Sequence, residues 1–221
     1  MNKNLEILAT ADGSYTLYNK EMDETYHSRN GAWSESQYVY IEMGIQDLPF
    51  NEVRVLEIGL GTGTNAILTY LYSQKFHFKV DYTTLEPYPL EWELLKKMQF
   101  DNKLSSIDWS VFKKMHEIEF DKKHQMGPYL TFKKLKQRLE DFETKETFDI
   151  IYLDAFAPNK QEEIWCLSNI KKMQNLLLPN GKLVSYCAQG QFKRNLKEAG
   201  FRIENPPGPH HKKEMTVAFK I

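Results

Sequence analysis

The stretch "VRVLEIGLGTGTNAILTYLYSQ", residues 53 to 74, decides the fold. Val53 to Gly59 is a run of mostly apolar, β-prone residues without alternation, as expected of a strand buried on both faces. Glycines 59, 61 and 63 follow at once, and apolar residues then recur at helical spacing from Ala66. Strand, glycine turn and helix form the opening unit of an open α/β sheet. The glycine spacing is G-x-G-x-G, not the G-x-G-x-x-G of dinucleotide binders, and Glu57 stands just ahead of it.

Working outward, the same rhythm repeats. "KVDYTTLE" (79–86), "FDIIYLD" (148–154), "KLVSYCA" (182–188), "FRIEN" (201–205) and "EMTVAFKI" (214–221) read as strands. "PLEWELLKKM" (89–98) reads as a helix entered by proline. "EEIWCLSNIKKMQNLL" (162–177) is a helix closed by a Pro-Asn-Gly turn, and "GQFKRNLKEAG" (190–200) a helix with a glycine stop. No helix separates the last two strands, which predicts an antiparallel pair at one edge of a mostly parallel sheet. Residues 102–147 are lysine-rich and give no clear pattern. Before the core, Asp12-Gly13 predicts a hairpin between 5–10 and 15–19. Ser34 and Gln37 offer a capping box for a helix that ends at Gly44. The expected organisation is an extension over residues 1–50 packed on a Rossmann-like α/β domain over 51–221.

Bulk properties narrow the class. Of 221 residues, 41% are hydrophobic and 27% charged, values typical of a soluble globular chain. A net charge of −1 excludes a global basic field, so any nucleic-acid contact must use local patches. The candidates are Lys113-Lys114, Lys122-Lys123, Lys133-Lys134-Lys136-Arg138 and His210-His211-Lys212-Lys213. Cys166 and Cys187 lack metal-ligand spacing and read as buried, reduced thiols. With no signal-peptide core and no membrane span, a cytoplasmic protein is expected, without metal or membrane partner.

Three acids suggest the chemistry. Glu57 beside the glycine loop would repel a pyrophosphate and attract a cation, and S-adenosylmethionine carries an ammonium and a sulfonium. Gly59, Gly61, Gly63 and Asn65 complete that candidate cofactor loop. Glu86 ends the second strand, where a carboxylate can accept both ribose hydroxyls; the competing reading is an acid stabilised at a helix start. Asp154 ends the strand "DIIYLD" ahead of "AFAPNK" and is the candidate catalytic residue; the competing reading is a turn former.

"YHSRNGAWSES" (26–36), "EIGLGTGTN" (57–65), "LDAFAPNKQEEIW" (153–165), "KRNLKEAGF" (193–201) and "PGPHHKKEMTVA" (207–218) together resemble the methyltransferase domain of the MnmC family. The resemblance implies a Rossmann-like class I S-adenosylmethionine-dependent methyltransferase. It would act on the 5-aminomethyl group of the tRNA wobble (2-thio)uridine, with the tRNA anticodon stem-loop as partner. It also implies that the segment carrying Tyr26, His27, Ser28, Gly31 and Glu35 folds over the cofactor, so Ser28 and Glu35 join the cofactor-binding candidates. His27 itself reads by default as a surface histidine. Phe156 and Pro158 would wall the acceptor pocket, and Lys160, Lys212 and Lys213 would meet the RNA. The family's flavin oxidase is expected to be a separate protein, or replaced by another enzyme supplying the amine. One departure is plain: the family has Gly-Asp at the end of the third strand, where this chain has "YLTFKKLKQRL" (129–139). The alternatives are a methyltransferase acting on a small-molecule or protein amine, and a non-catalytic binding module.

Overall fold

The computed structural model describes residues 4–48, 51–98, 103–209 and 212–221. Strand β1 (Leu5–Ala9) and β2 (Tyr15–Asn19) form the hairpin expected from Asp12-Gly13, and β3 (Glu24–Thr25) adds a short third strand. The Asp12 carboxylate explains why this turn is fixed. It accepts from Ser14 and Ser34, backbone and hydroxyl in each case, and so ties the hairpin to helix α1 (Ala32–Ser36). Burial alone would raise its pKa, but these four donors outweigh burial and hold it well below the usual carboxylate range. Ser34 is therefore not the expected helix cap; Gly31 takes that position. The helix continues as a wide π-helical segment over Gln37–Glu42, with a bond from Met43 N–H to Tyr38 O of 2.9 Å.

Among the described residues the main sheet has eight strands. Its centre is β4 (Glu52–Ile58), flanked in parallel by β5 (Lys79–Leu85) and β8 (Phe148–Leu153), then by β7 (Leu130–Leu135) and β9 (Leu177–Ser185). Val55, Leu56, Ile150 and Ile151 are inaccessible to solvent, as the unbroken apolar runs required. Antiparallel strands close both sides: β6 (Lys123–Gln125) on β7, and β11 (Thr216–Lys220) between β9 and β10 (Phe201–Glu204). The Pro-Asn-Gly segment does not end a helix; it is an irregular excursion within β9, with Asn180 at φ +63°.

Helices cover the sheet: α2 (Thr64–Phe76), α4 (Ser106–Glu117), α5 (Leu167–Leu176) and α6 (Gly190–Glu198), with a short α3 (Trp92–Leu95). Proline does not start α3, because Glu91 is its cap. Leu17, Val39, Tyr40 and Ile41 share one hydrophobic core with β4, β5 and α2, so the N-terminal segment packs directly against the sheet. The lysine-rich stretch thus supplies α4, β6 and β7. Among the described residues, no helix is long and apolar enough to cross a membrane.

Candidate active site

The chain order reverses at β4, whose neighbours β5 and β8 lead away in opposite directions. An open sheet leaves a crevice beyond the carboxyl ends of its strands at such a point. Three backbone bonds fix those ends: Gly59 N–H to Leu85 O (3.0 Å), Asp154 N–H to Ile58 O (3.0 Å) and Glu86 N–H to Leu135 O (2.9 Å). Gly59 adopts φ +95°, and a Cβ there would lie 2.6 Å from the Asp154 carbonyl. Only a bare backbone lets the glycine loop and the Asp154 strand approach this closely.

The resulting cleft is lined by Ser28, Glu35, Gly59, Gly61, Glu86, Asp154, Phe156 and Lys212 among the residues expected there. Glu57, Gly63, Asn65, Pro158, Lys160 and Lys213 do not line it. Glu57 and Asn65 are buried below its floor, and Gly63, in the left-handed region at φ +79°, faces His116 instead. His27 is not on the surface. It is 9% exposed and lines the cleft, with its backbone N–H on the Thr16 hydroxyl at 2.9 Å.

One amide organises the acids. Asn65 Nδ2 donates to Asp154 Oδ2 at 2.7 Å and to Glu57 Oε1 at 3.1 Å. Glu57 is 0% exposed, and burial pushes its pKa up to about 8 against the opposing pull of Thr84, with Asp154 raising it further. Its second oxygen, the Tyr82 hydroxyl and the Thr84 hydroxyl are all buried without a hydrogen bond of good geometry. Asp154 is half-buried and faces the cleft. Burial raises its pKa too, while His27, Tyr40 and Asn65 favour the ionised form. Asp154 does not cap the "AFAP" turn, because the Phe156 N–H goes to Gln161 Oε1 at 3.0 Å. Trp165 Nε1 donates to Phe156 O (2.9 Å) and Tyr186 OH to Ala155 O (2.8 Å), so this turn is held from both sides.

Glu86 accepts Gly61 N–H at 2.9 Å and Tyr88 N–H at 2.8 Å, which ties the glycine loop to the tip of β5. Phe156 packs edge-on against Tyr26, ring centres 4.9 Å apart. Glu35 accepts Ser28 N–H at 2.7 Å on one oxygen and Lys212 Nζ at 2.5 Å on the other. Tyr26, His27, Tyr88, Arg138 and Tyr186 also line the wall. Of these, Tyr186 carried a usable signal: it directly follows β9, at a strand tip next to Asp154.

The expected basic patches are mostly spent internally. Lys123 pairs with Asp81 at 2.6 Å, Lys122 with Glu119, and Lys113 with Glu117 at 3.7 Å. Lys134 is only 3% exposed; it bonds the His116 carbonyl and lies over the Phe120 ring at 4.5 Å. His210 and His211 lie outside the described residues. Cys187 is buried but Cys166 is half-buried, and neither forms a disulfide. Among the described residues, no group of His, Cys, Asp and Glu could hold a metal.

The lining suits a cationic ligand: Glu24, Glu35, Glu86, Glu140, Asp154 and Glu163 face Lys212 and Arg138. A mostly parallel sheet with an antiparallel final strand, a G-x-G-x-G loop at the switch point and an acid ending the second strand define a Rossmann-like class I methyltransferase. The chain belongs to the S-adenosyl-L-methionine-dependent methyltransferase family whose profile it matches over residues 85–221. It is 26% identical over 210 residues to the tRNA 5-methylaminomethyl-2-thiouridine biosynthesis bifunctional protein MnmC of Campylobacter hominis, covering 92% of this chain and 31% of that one. A protein of the same name from Ralstonia nicotianae is 26% identical over 224 residues, covering 92% and 33%. The chain therefore spans about a third of the length of these relatives. The crystal structure of MnmC2 from Aquifex aeolicus shares the fold, with a TM-score of 0.75 at 23% identity, covering 97% of this chain and 69% of that one.

Proposed function

We propose that the protein methylates the exocyclic amine of 5-aminomethyl-(2-thio)uridine at the tRNA wobble position, with S-adenosylmethionine as methyl donor. The observation that carries the reading is Asp154: an acid at the tip of β8, aimed into an acid-rich cleft by Asn65. The similarity to the bifunctional MnmC proteins supports the choice of tRNA.

The donor set fits the methyl donor. Glu86 would accept ribose hydroxyls beside the two backbone N–H groups it already holds, Gly59 and Gly61 would allow close backbone approach, and Glu35 and Asp154 would offset positive charge. When bound, the donor supplies an activated methyl on sulfur. The chain supplies position and electrostatics, and holding the reactants in line is worth up to roughly 7–11 kcal/mol. A free alkylamine has a pKa of about 10, so about one in a thousand molecules is neutral at pH 7. Asp154 accepts an N–H of that neutral amine and orients its lone pair. As nitrogen becomes cationic, the fixed carboxylate stabilises the developing charge. Tyr26 and Phe156 offer aromatic edges to an extruded base.

The test is transfer of labelled methyl from S-adenosylmethionine to bulk tRNA, followed by mass spectrometry of nucleosides. The expected product is 5-methylaminomethyl uridine or its 2-thio form, with the unmethylated amine accumulating in a deletion strain. Label on small amines or proteins but not on tRNA would replace this acceptor with another.

A further inference from the structure

The Lys212–Glu35 pair joins residues 177 apart in sequence, and both side chains line the cleft. Backbone bonds to Gly208 and Pro209 hold Lys212 there. Its N–H donates to Pro209 O (3.0 Å), its carbonyl accepts Gly208 N–H (3.1 Å), and Tyr38 OH donates to Pro207 O (3.0 Å). Gly208 is needed for this fold, since a Cβ there would lie 2.7 Å from Lys212 Cβ. The ammonium rests 5.2 Å from the centre of the Tyr186 ring, so its direction is set from below as well as by Glu35. Lys212 stays partly exposed, but its ammonium is turned onto Glu35.

We infer that Lys212 and Glu35 together receive the α-amino-acid end of the methyl donor, Lys212 taking its carboxylate and Glu35 its ammonium. The inference rests on reading the cleft as the donor site. Six acids line that cleft, and a ligand carboxylate entering it needs a cation. Of the lysine and arginine side chains in the lining, Arg138 is held by the Tyr88 hydroxyl at 2.6 Å. Lys212 is the remaining one among the described residues. A zwitterion presents both charges of the pair in complementary form, so each partner trades one charged hydrogen bond for another of like strength. Pairing beforehand keeps both groups ordered and spares either from facing the cleft alone.

The experiment is calorimetric titration with three ligands: S-adenosylhomocysteine, its decarboxylated analogue and methylthioadenosine, which lacks the amino-acid end. The wild-type protein is expected to bind S-adenosylhomocysteine about tenfold or more tighter than the decarboxylated analogue, the loss expected for one charge-assisted pair. Lys212→Met should weaken S-adenosylhomocysteine by about tenfold and leave the other two nearly unchanged, while Lys212→Arg retains most of the preference. Glu35→Gln should weaken the first two ligands and spare methylthioadenosine. Equal wild-type affinity for the first two ligands overturns the inference without any variant. So does a Lys212→Met loss shared by all three, which marks a purely structural tie, or a loss confined to tRNA. A wild-type protein that binds none of the three overturns the donor-site reading itself, and the inference with it.

Discussion

The floor and the wall of the cleft each hold an acid, and a single amide bridges them. Glu57 on the floor is sealed off, and burial lifts its pKa to about 8. Burial raises the pKa of Asp154 on the wall too, but this acid is only half-buried, faces the cleft and has His27 and Tyr40 to favour its charge. The difference teaches that residue type does not set a carboxylate's role; access to the cleft and the partners around it do. Burial disfavours the floor acid's charge and it accepts from Asn65, whereas the wall acid opens onto the cleft.

The strongest way to break this division is Asp154→Asn. Removing the charge that faces the reacting nitrogen should lower methyl transfer by about a hundred- to a thousandfold, as for other groups aimed at developing charge. Affinity for S-adenosylhomocysteine should hardly move, because the variant keeps shape and a hydrogen-bonding side chain. Single-turnover transfer and calorimetry separate the two; an unchanged transfer rate removes Asp154 from the chemistry. Next in size is Asn65→Leu, which leaves buried Glu57 and half-buried Asp154 without their shared donor. A loss of about 2–3 kcal/mol is expected from the broken charged hydrogen bonds, measured by urea unfolding and larger at higher pH, where Glu57 ionises.

Glu57→Gln sharpens the comparison through its pH dependence. A carboxyl whose folded pKa lies above its unfolded value of 4.5 binds its proton more tightly when folded. Its contribution is fully present below that value and is lost as pH rises through about 8. The variant should therefore gain thermal stability over the wild type progressively between those limits, while S-adenosylhomocysteine affinity changes little. A stability difference independent of pH would mean that Glu57 is already ionised in the folded protein.

The sheet was legible because its signals are local. The run 53–59, its glycines and the strand ending on Asp154 each announce an element and its end within a few residues. What could not be read depends on distance. Lys212 reads in the sequence as a tail lysine, and its partner Glu35 lies 177 residues away. His27 looked like a surface histidine because nothing in its own segment shows that Thr16 and Thr62 enclose it. The wide helical turn at 37–42 brings Tyr40 under Asp154, where its hydroxyl reaches Leu153 O at 3.3 Å, and no periodicity announces it. Glu57 was expected to touch the ligand because its position before the glycines is fixed by sequence, whereas its depth below the floor is not.

The cations invite the same question of access, with a smaller expected effect. Lys134 and Lys136 sit two residues apart at the end of β7, and the sequence placed both in one basic patch. Lys134 folds its stem inward over Phe120, and burial lowers its pKa to about 8. Lys136 is exposed, directly before Gln137 and Arg138 in the cleft wall. If access decides, Lys136→Glu should weaken tRNA binding severalfold and reduce its salt dependence by about one in slope. Lys134→Gln should leave that slope unchanged and lower the melting temperature instead. A shared loss of slope in both variants would mean that Lys134 leaves its buried position to meet a phosphate, and static burial would then be the wrong guide to function at the rim of this cleft.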